Sequence, residues 1–214
     1  MFDAVIFDLD GTLCDTLPDI HASVSRMLER LGYPPRTMTN TIGGMNHGSR
    51  NLIRHALPDG AGEDEIDTAL AVYTEMYGAH VCDATPPYRG IQSLVERLSR
   101  DGVMLAVLSN KPDALVAKIV STLFPGLFAM TVGQGPYELK PSAEAPLTIA
   151  STFGVPPEAV LIVGDSDVDV MTAHNAGMKA AGVTWGYRSR EVIVNAGADF
   201  IVDTAQELYE KIRA

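Results

Sequence analysis

The chain has 214 residues, of which 46% are hydrophobic and 20% are charged, values typical of a globular protein with a sizeable core. Its 16 basic and 27 acidic residues give a formal net charge of -11, which would repel a nucleic-acid backbone or an anionic lipid surface. The longest apolar stretches have the length of a strand, far below the roughly 20 residues that cross a bilayer. We therefore expect neither a nucleic-acid nor a membrane partner.

The cysteines and the first residues bear on the compartment. Cys14 and Cys82 lie far apart in the sequence and lack the spacing of a metal site, so we expect two reduced thiols. The first residues show no basic region followed by a long apolar segment, as a secretory signal would. We expect a cytoplasmic location.

The chain begins with a predicted strand over Ala4–Phe7 and continues with helical patterns up to about Cys82. Apolar residues recur there at helical spacing without a convincing buried strand. The predicted helices are Asp19–Leu31, Ser49–Leu57 and Asp64–Tyr77. These patterns predict a helical domain over residues 14–82, inserted into a domain that residues 1–13 and 83–214 form.

From residue 88 onward, helical stretches alternate with short apolar runs rich in β-forming residues. The predicted helices are Gly90–Arg100, Asp113–Leu123, Ala143–Phe153, Asp167–Ala176 and Ala205–Ile212. The predicted strands are Val103–Leu108, Phe128–Val132, Val160–Val163, Lys179–Val183 and Phe200–Val202. This alternation indicates an α/β fold with a doubly wound parallel sheet.

Ionisable, hydroxyl and amide side chains come shortly after four of the predicted strands. In chain order they are Asp8, Asp10, Ser109, Asn110, Lys111, Lys140, Asp165 and Asp169. Each of them alone would be an ordinary turn or helix-cap residue. Ligands of open parallel sheets bind at the carboxyl ends of the strands, so this placement predicts one functional site.

Four short segments in this order resemble the haloacid dehalogenase superfamily of phosphohydrolases. They are FDLDGTL at 7–13, LSN at 108–110, KP at 140–141 and IVGDSDVDVMTAHNAG at 162–177. The resemblance covers nearly the whole chain and implies a Rossmann-like core with a helical cap that closes over the sheet edge. The sequence differs from related phosphatases at KPSAEAPL, where these often have K-P-x-P-x-P.

The resemblance implies a role for each carboxylate. Asp8 would attack phosphorus and form an aspartyl-phosphate, and Asp10 would protonate the leaving alkoxide and then activate water. Mg²⁺ would be bound by Asp8, the backbone carbonyl of Asp10 and Asp165, because it prefers hard oxygen ligands. Asp169 would support the metal indirectly or through a water.

Cationic and polar residues would bind the phosphate. Lys140 would neutralise its charge, and Ser109 with backbone N–H groups near Asn110 would hold its oxygens. Thr12 and Lys111 are further candidates for this contact.

The cap residues bear on the substrate, which we expect to be a small phosphorylated metabolite. The segments DLDGTLCDTLPDI and IGGMNHGSRNLIRHAL are similar to the phosphoglycolate phosphatase group of the family. Arg50, which follows the predicted turn Ile42-Gly43-Gly44, would contact a carboxylate or phosphate of the substrate, and His47 is a second candidate. Asp10 disfavours a dehalogenase, since attack on a carbon–halogen bond needs no acid there.

Other activities stay open at this point. A β-phosphoglucomutase-type phosphotransferase would have a cap histidine five residues after the aspartate of its DT motif, whereas His21 follows Asp15 by six. A pyrophosphatase or a nucleotidase of the same superfamily also remains. A phospho-accepting signalling domain is a different class, which the helical insert and Asp10 disfavour. The sequence fixes neither the substrate nor the choice between a monomer and a homodimer.

Overall fold

A six-stranded parallel sheet forms the centre of the protein in the computed structural model, which describes residues 1–135 and 137–214. The strands are β1 Ala4–Phe7, β2 Met104–Pro112, β3 Met130–Gln134, β4 Val160–Gly164, β5 Lys179–Val183 and β6 Phe200–Val202. Their order is β3-β2-β1-β4-β5-β6, and every neighbouring pair is parallel. This order confirms the doubly wound α/β fold.

Both faces of the sheet are covered, which explains why its strands read as continuous apolar runs. In β1, Ala4 and Ile6 belong to one buried apolar cluster, whereas Val5 and Phe7 belong to the other. The helices α5 Ile91–Arg100, α6 Asp113–Leu123 and α10 Ala205–Arg213 pack on the face of Val5. The helices α7 Glu144–Phe153, α8 Asp167–Asn175 and α9 Arg190–Asn195 pack on the opposite face.

Four helices lie between β1 and α5. They are α1 Leu17–Arg30, α2 Met38–Gly44, α3 Ser49–Ala56 and α4 Glu63–His80. The buried apolar residues of α1, α3 and α4 join the apolar cluster of Val5 and Phe7, and Ile42 of α2 packs against it, so the packing is continuous from the sheet into these helices. The division into two domains at residues 14 and 83 stays a prediction. Among the described residues, every helix is too short or too polar to span a membrane.

The turn predicted at Ile42-Gly43-Gly44 is wrong, because these residues form the last turn of α2. The sequence pattern missed this helix, whose two glycines weaken any helical signal. Thr37 starts it with a capping box, in which its side chain accepts from Asn40 N and Asn40 accepts from the backbone of Thr37. A Cβ on Gly44 would lie 3.0 Å from Leu52 Cα, so this glycine lets α2 approach α3 closely.

The second strand also differs from its predicted end at Leu108, because β2 continues to Pro112. Its pairing with β3 shifts register between Leu108 and Pro112. The predicted site residues Ser109, Asn110 and Lys111 are therefore in the irregular last part of a strand and not in the loop after it. The helix α9 was not predicted from the sequence.

Candidate active site

The polar residues predicted to meet at the sheet edge do meet there. Asp8 directly follows β1, which lies between β2 and β4, and its backbone N–H donates to the carbonyl of Val163 in β4 at 2.8 Å. The strand order reverses beside β1, which is where open α/β sheets bind ligands. Asp8 is thereby held at the centre of this edge.

A cleft of about 530 Å³, which includes space open to solvent, lies over this edge. Seven of the predicted site residues line it: Asp8, Asp10, Ser109, Asn110, Lys111, Lys140 and Asp169. Its other wall comes from α1, α3, α4 and the loop before α3. A ligand in this cleft would contact both the sheet edge and the helices.

Lys140 is a buried cation that contacts two carboxylates at the centre of the sheet edge. Its Nζ lies 2.6 Å from an oxygen of Asp8 and 2.6 Å from an oxygen of Asp169. Burial works to lower the pKa of Lys140, but Asp169 and Asp8 together raise it above the usual lysine value. The ammonium therefore stays charged and faces any anion that enters the cleft.

Asp8 has an unusual electrostatic environment for a carboxylate. Burial is the largest influence and raises the pKa of Asp8 well above its ordinary value, although Lys140 opposes this effect. The carboxylates of Asp169, Asp165 and Asp10 raise it further. The sheet edge thus holds more acidic groups than the buried lysine can neutralise.

Asp165 is fully buried, and only one of its two carboxylate oxygens has a hydrogen-bond partner among the described residues. Its Oδ2 accepts a hydrogen bond from the backbone N–H of Tyr187 at 2.6 Å, whereas Oδ1 has no partner among the described residues. Burial, with a contribution from Asp169, raises the pKa of Asp165 to about 7. A buried acceptor without a partner destabilises the fold unless a ligand completes it.

The cluster of Asp8, Asp165 and Asp169 fits a hard divalent cation. One oxygen from each carboxylate lies within 4.8 Å of the other two, and all three residues are buried. Asp169 is already engaged, because Oδ1 contacts Lys140 and Oδ2 accepts from the Ser166 hydroxyl and backbone N–H. Lys140 contacts Asp8 through Oδ1, so the second oxygen of Asp8 and the unpartnered oxygen of Asp165 are the carboxylate donors left for a Mg²⁺ type of site.

The loop that follows Asp8 requires a glycine where it passes Asp165. Gly11 has φ +89°, and a Cβ there would lie 2.5 Å from Asp165 Oδ2. A side chain at this position would be strained by its backbone and would also displace the carboxylate of Asp165. The glycine of the DGT sequence thus permits the close approach of the two loops.

Asp10 is hydrogen-bonded to Thr16, the residue that precedes α1. Its Oδ1 accepts from the hydroxyl of Thr16 and lies 3.0 Å from Lys111 Nζ. Leu9, between the two aspartates, is fully buried in the apolar cluster of Val5 and Phe7. Asp8 and Asp10 therefore both line the cleft while the residue between them points into the core.

Asn110 connects the sheet edge to the loop before α3. Its Oδ1 accepts from Lys140 N at 2.8 Å, and its Nδ2 donates to the carbonyl of Lys140 at 3.0 Å. The same Nδ2 donates to the carbonyl of Asn46 at 2.8 Å. Its amide side chain therefore positions the Lys140 loop. Nearby, the Ser109 hydroxyl accepts from Lys111 N at 3.2 Å and lines the cleft.

Two predicted substrate-binding residues lie elsewhere. Thr12 is fully buried, does not line the cleft, and accepts a hydrogen bond at its carbonyl from Trp185 Nε1. The Arg50 guanidinium forms ion pairs with Glu63 and Asp67 of α4 and also does not line the cleft. The side chain faces these acids because α3 and α4 pack together, which the sequence alone does not show.

The sequence analysis missed Tyr187. Its backbone N–H binds Asp165, and its hydroxyl donates to Asp15 at 3.0 Å and accepts from Leu17 N at 2.9 Å. It connects the acidic cluster to the start of α1. The available signal was its place shortly after β5, beside the central strands, in the segment TWGYRSR.

A doubly wound sheet with carboxylates and a buried lysine at its central edge agrees with the haloacid dehalogenase superfamily, which the sequence motifs resemble. A model of the haloacid dehalogenase-like hydrolases matches residues 5–183, and the chain belongs to this family.

Named relatives are similar over most of the chain. The chain is 35% identical to phosphoglycolate phosphatase 1 of Pseudomonas aeruginosa, over 95% of its length and 77% of the relative. It is 37% identical to a phosphoglycolate phosphatase of Aquifex aeolicus, over 86% of its length and 85% of the relative. The crystal structure of a predicted phosphoglycolate phosphatase from Haemophilus somnus superposes with a TM-score of 0.92 at 29% identity, covering all of this chain and 98% of the other.

Proposed function

We propose that the protein is a Mg²⁺-dependent phosphatase that hydrolyses a small phosphate monoester, with phosphoglycolate as the first candidate substrate. One observation carries this proposal: Asp8 lies in a cleft between a buried ammonium, 2.6 Å away, and a buried carboxylate with an unpartnered oxygen. The names of the relatives support the substrate.

The chemistry proposed for the chain begins at Asp8. Its carboxylate attacks phosphorus, the bond from phosphorus to the alkoxide oxygen breaks, and an aspartyl-phosphate forms. Asp10 gives its proton to the departing oxygen and later takes one from the water that hydrolyses the aspartyl-phosphate. Thr16 and Lys111 hold the Asp10 carboxylate in place for both transfers.

The other site residues bind and orient in this proposal. Lys140 faces the phosphate and offsets its charge, and Ser109 binds a phosphate oxygen. Asp8, Asp165 and the carbonyl of Asp10 would hold Mg²⁺, which supplies positive charge beside the phosphate. Arg50 and Thr12 are not included, because neither lines the cleft.

The decisive experiment combines a substrate screen with an Asp8→Asn variant. The wild-type protein is assayed with Mg²⁺ on phosphoglycolate, pyrophosphate, nucleotides and hexose phosphates, and phosphate release is measured. We expect the highest kcat/KM on phosphoglycolate, and we expect Asp8→Asn to abolish turnover because an amide cannot attack phosphorus.

Circular dichroism and the melting temperature show whether Asp8→Asn is folded. Retained turnover by the folded variant would reject Asp8 as the nucleophile. A stable phosphoprotein without turnover would favour the signalling domain, and isomerisation of a hexose phosphate would favour the mutase.

A further inference from the structure

Lys111 is a buried cation in the cleft that the proposed phosphoryl transfer does not fully use. Its side chain is only 5% exposed, although it lines the cleft. Nζ donates to the hydroxyl of Tyr77 at 2.7 Å and lies 3.0 Å from Asp10 Oδ1. It also lies 4.4 Å from the centre of the Tyr77 ring. A residue of the sheet edge thus meets a residue of α4 inside the cleft.

Hydrogen-bond donors in the cleft remain without an acceptor. A lysine ammonium has three N–H groups, and among the described residues Nζ of Lys111 contacts two oxygens. The Tyr77 hydroxyl accepts from Lys111 and donates to none of the described residues, so its hydrogen can be donated to a ligand. Asn46 also lines the cleft, and its Nδ2 is buried without a partner in the described chain.

The environment keeps these groups as donors. Tyr77 is 1% exposed, and burial raises the pKa of its hydroxyl well above the ordinary tyrosine value, so the proton stays on the oxygen. Lys140, the second lysine that lines the cleft, already contacts two carboxylates, whereas Lys111 contacts one. Lys111 therefore has more unbalanced positive charge to offer a ligand.

Because Lys111 lies next to Asp10, the part of a substrate that would contact Lys111 can be inferred. In the proposed function Asp10 protonates the oxygen that leaves phosphorus, so a group within 3.0 Å of Asp10 lies beside the atoms attached to that oxygen. In a phosphorylated 2-hydroxy acid, the carboxylate carbon is two bonds from this oxygen. The carboxylate would then lie within reach of Lys111 and Tyr77.

We propose that Lys111 and Tyr77 form a carboxylate subsite that selects phosphorylated 2-hydroxy acids over phosphate esters without a carboxylate. This inference rests on the proposed function and assigns to Lys111 and Tyr77 the selectivity that the sequence analysis expected of Arg50. Arg50 is engaged by Glu63 and Asp67 outside the cleft. The donors come from both the sheet edge and the helices, so the subsite is complete only when the two are packed together.

The test compares phosphoglycolate with its neutral amide, phosphoglycolamide, which has the same shape but no carboxylate charge. We expect the wild-type protein to have the higher kcat/KM on phosphoglycolate. Lys111→Met should lower the ratio of the two kcat/KM values about 10- to 100-fold, as the loss of a charged hydrogen bond does. Tyr77→Phe, which keeps the ring and its packing, should lower the ratio about 3- to 10-fold.

Arg50→Ala is the control, because it removes a cation of α3 that lies outside the cleft, and its ratio of kcat/KM values should stay at the wild-type value. The contact of Lys111 with Asp10 affects both substrates alike, so the ratio isolates the carboxylate. The Kd of each compound, measured in the Asp8→Asn variant, gives a readout without turnover. Adding Lys111→Met to this variant should weaken the binding of phosphoglycolate and leave the binding of phosphoglycolamide unchanged.

Each other outcome has a distinct meaning. Equal losses on both substrates in Lys111→Met and Tyr77→Phe, or no wild-type preference for the carboxylate, overturn the subsite and leave the phosphatase intact. If Lys111→Met does not fold, the ratio for Tyr77→Phe decides. Turnover of neither compound by the wild-type protein, with turnover of another phosphate ester, overturns the proposed substrate and the subsite together.

Discussion

Two buried lysines face the same cleft with different partners. Lys140 contacts Asp8 and Asp169, which the proposed function places at the reacting phosphorus. Lys111 contacts Asp10 and Tyr77, on the side of the leaving group. In the two proposals, Lys140 binds the phosphate end and Lys111 the carboxylate end of a short anionic substrate.

Asp165 gives a prediction about stability and pH in metal-free protein. Its folded-state pKa of about 7 is above the ordinary 3.8, so the folded state holds a proton that the unfolded state releases between these values. The free energy of unfolding should therefore fall as pH rises from about 4 through about 7. Asp165→Asn should reduce this fall by about 2–4 kcal/mol, because an amide carries no charge to bury.

Urea denaturation at pH 5 and pH 8, with a chelator present, measures this effect. Asp167→Asn is the control, since Asp167 is a neighbouring aspartate that is less buried and outside the acidic cluster. The same pH dependence in wild type and Asp165→Asn would show that Asp165 does not carry the buried charge.

At the level of elements, Asp19 fastens α1 to the chain segment that follows α4. Both of its oxygens accept from Ala84 N at 2.9 Å, and Oδ2 accepts from the hydroxyl of Thr85 at 2.6 Å. Asp19 and Thr85 are buried, so little water can replace the carboxylate at the hydroxyl of Thr85. The chain therefore leaves and re-enters the sheet region at one fixed place.

Asp19→Ala should lower the free energy of unfolding by about 1–3 kcal/mol, because it leaves the buried hydroxyl of Thr85 and the partly buried N–H of Ala84 without their acceptor. Urea denaturation at pH 7 measures the change. Asp59→Ala is the matched control on an exposed residue and should stay within about 0.5 kcal/mol of wild type. An equal, small effect of both substitutions would contradict the fastening role.

At the level of the whole molecule, the charges are unevenly placed. The chain has a formal net charge of -11, and the three carboxylates of the acidic cluster are buried together at the centre of the sheet edge. A divalent cation at this cluster would offset their repulsion in the folded state only, since the unfolded chain does not bring them together. Metal binding and global stability should therefore be linked.

We expect Mg²⁺ at 100 times its Kd to raise the melting temperature by about 5–10 °C. Differential scanning calorimetry at pH 7.5, with and without Mg²⁺, measures the shift. Asp165→Asn should remove most of it, and Asp167→Asn should keep it. A full shift in Asp165→Asn would place the bound cation elsewhere.

The sequence by itself determined the six strands, most helices and the group of polar residues at the sheet edge. These features are local: apolar runs define the strands, and Asp8, Lys140 and Asp165 come shortly after strands, so their place follows from the direction of a parallel sheet. The missed α2 fits this explanation, because its glycines carry little local signal and its helical state depends on packing against α3.

Only the tertiary structure decided which of two cations, Arg50 of α3 or Lys111 of β2, lines the cleft. Arg50 and Lys111 are both plausible from the sequence, but the choice depends on contacts with residues far along the chain. Glu63 and Asp67 of α4 bind Arg50, and Tyr77 of the same helix meets Lys111. The direction of a side chain depends on how helices pack against each other and against the sheet, and that packing is not encoded in any short segment.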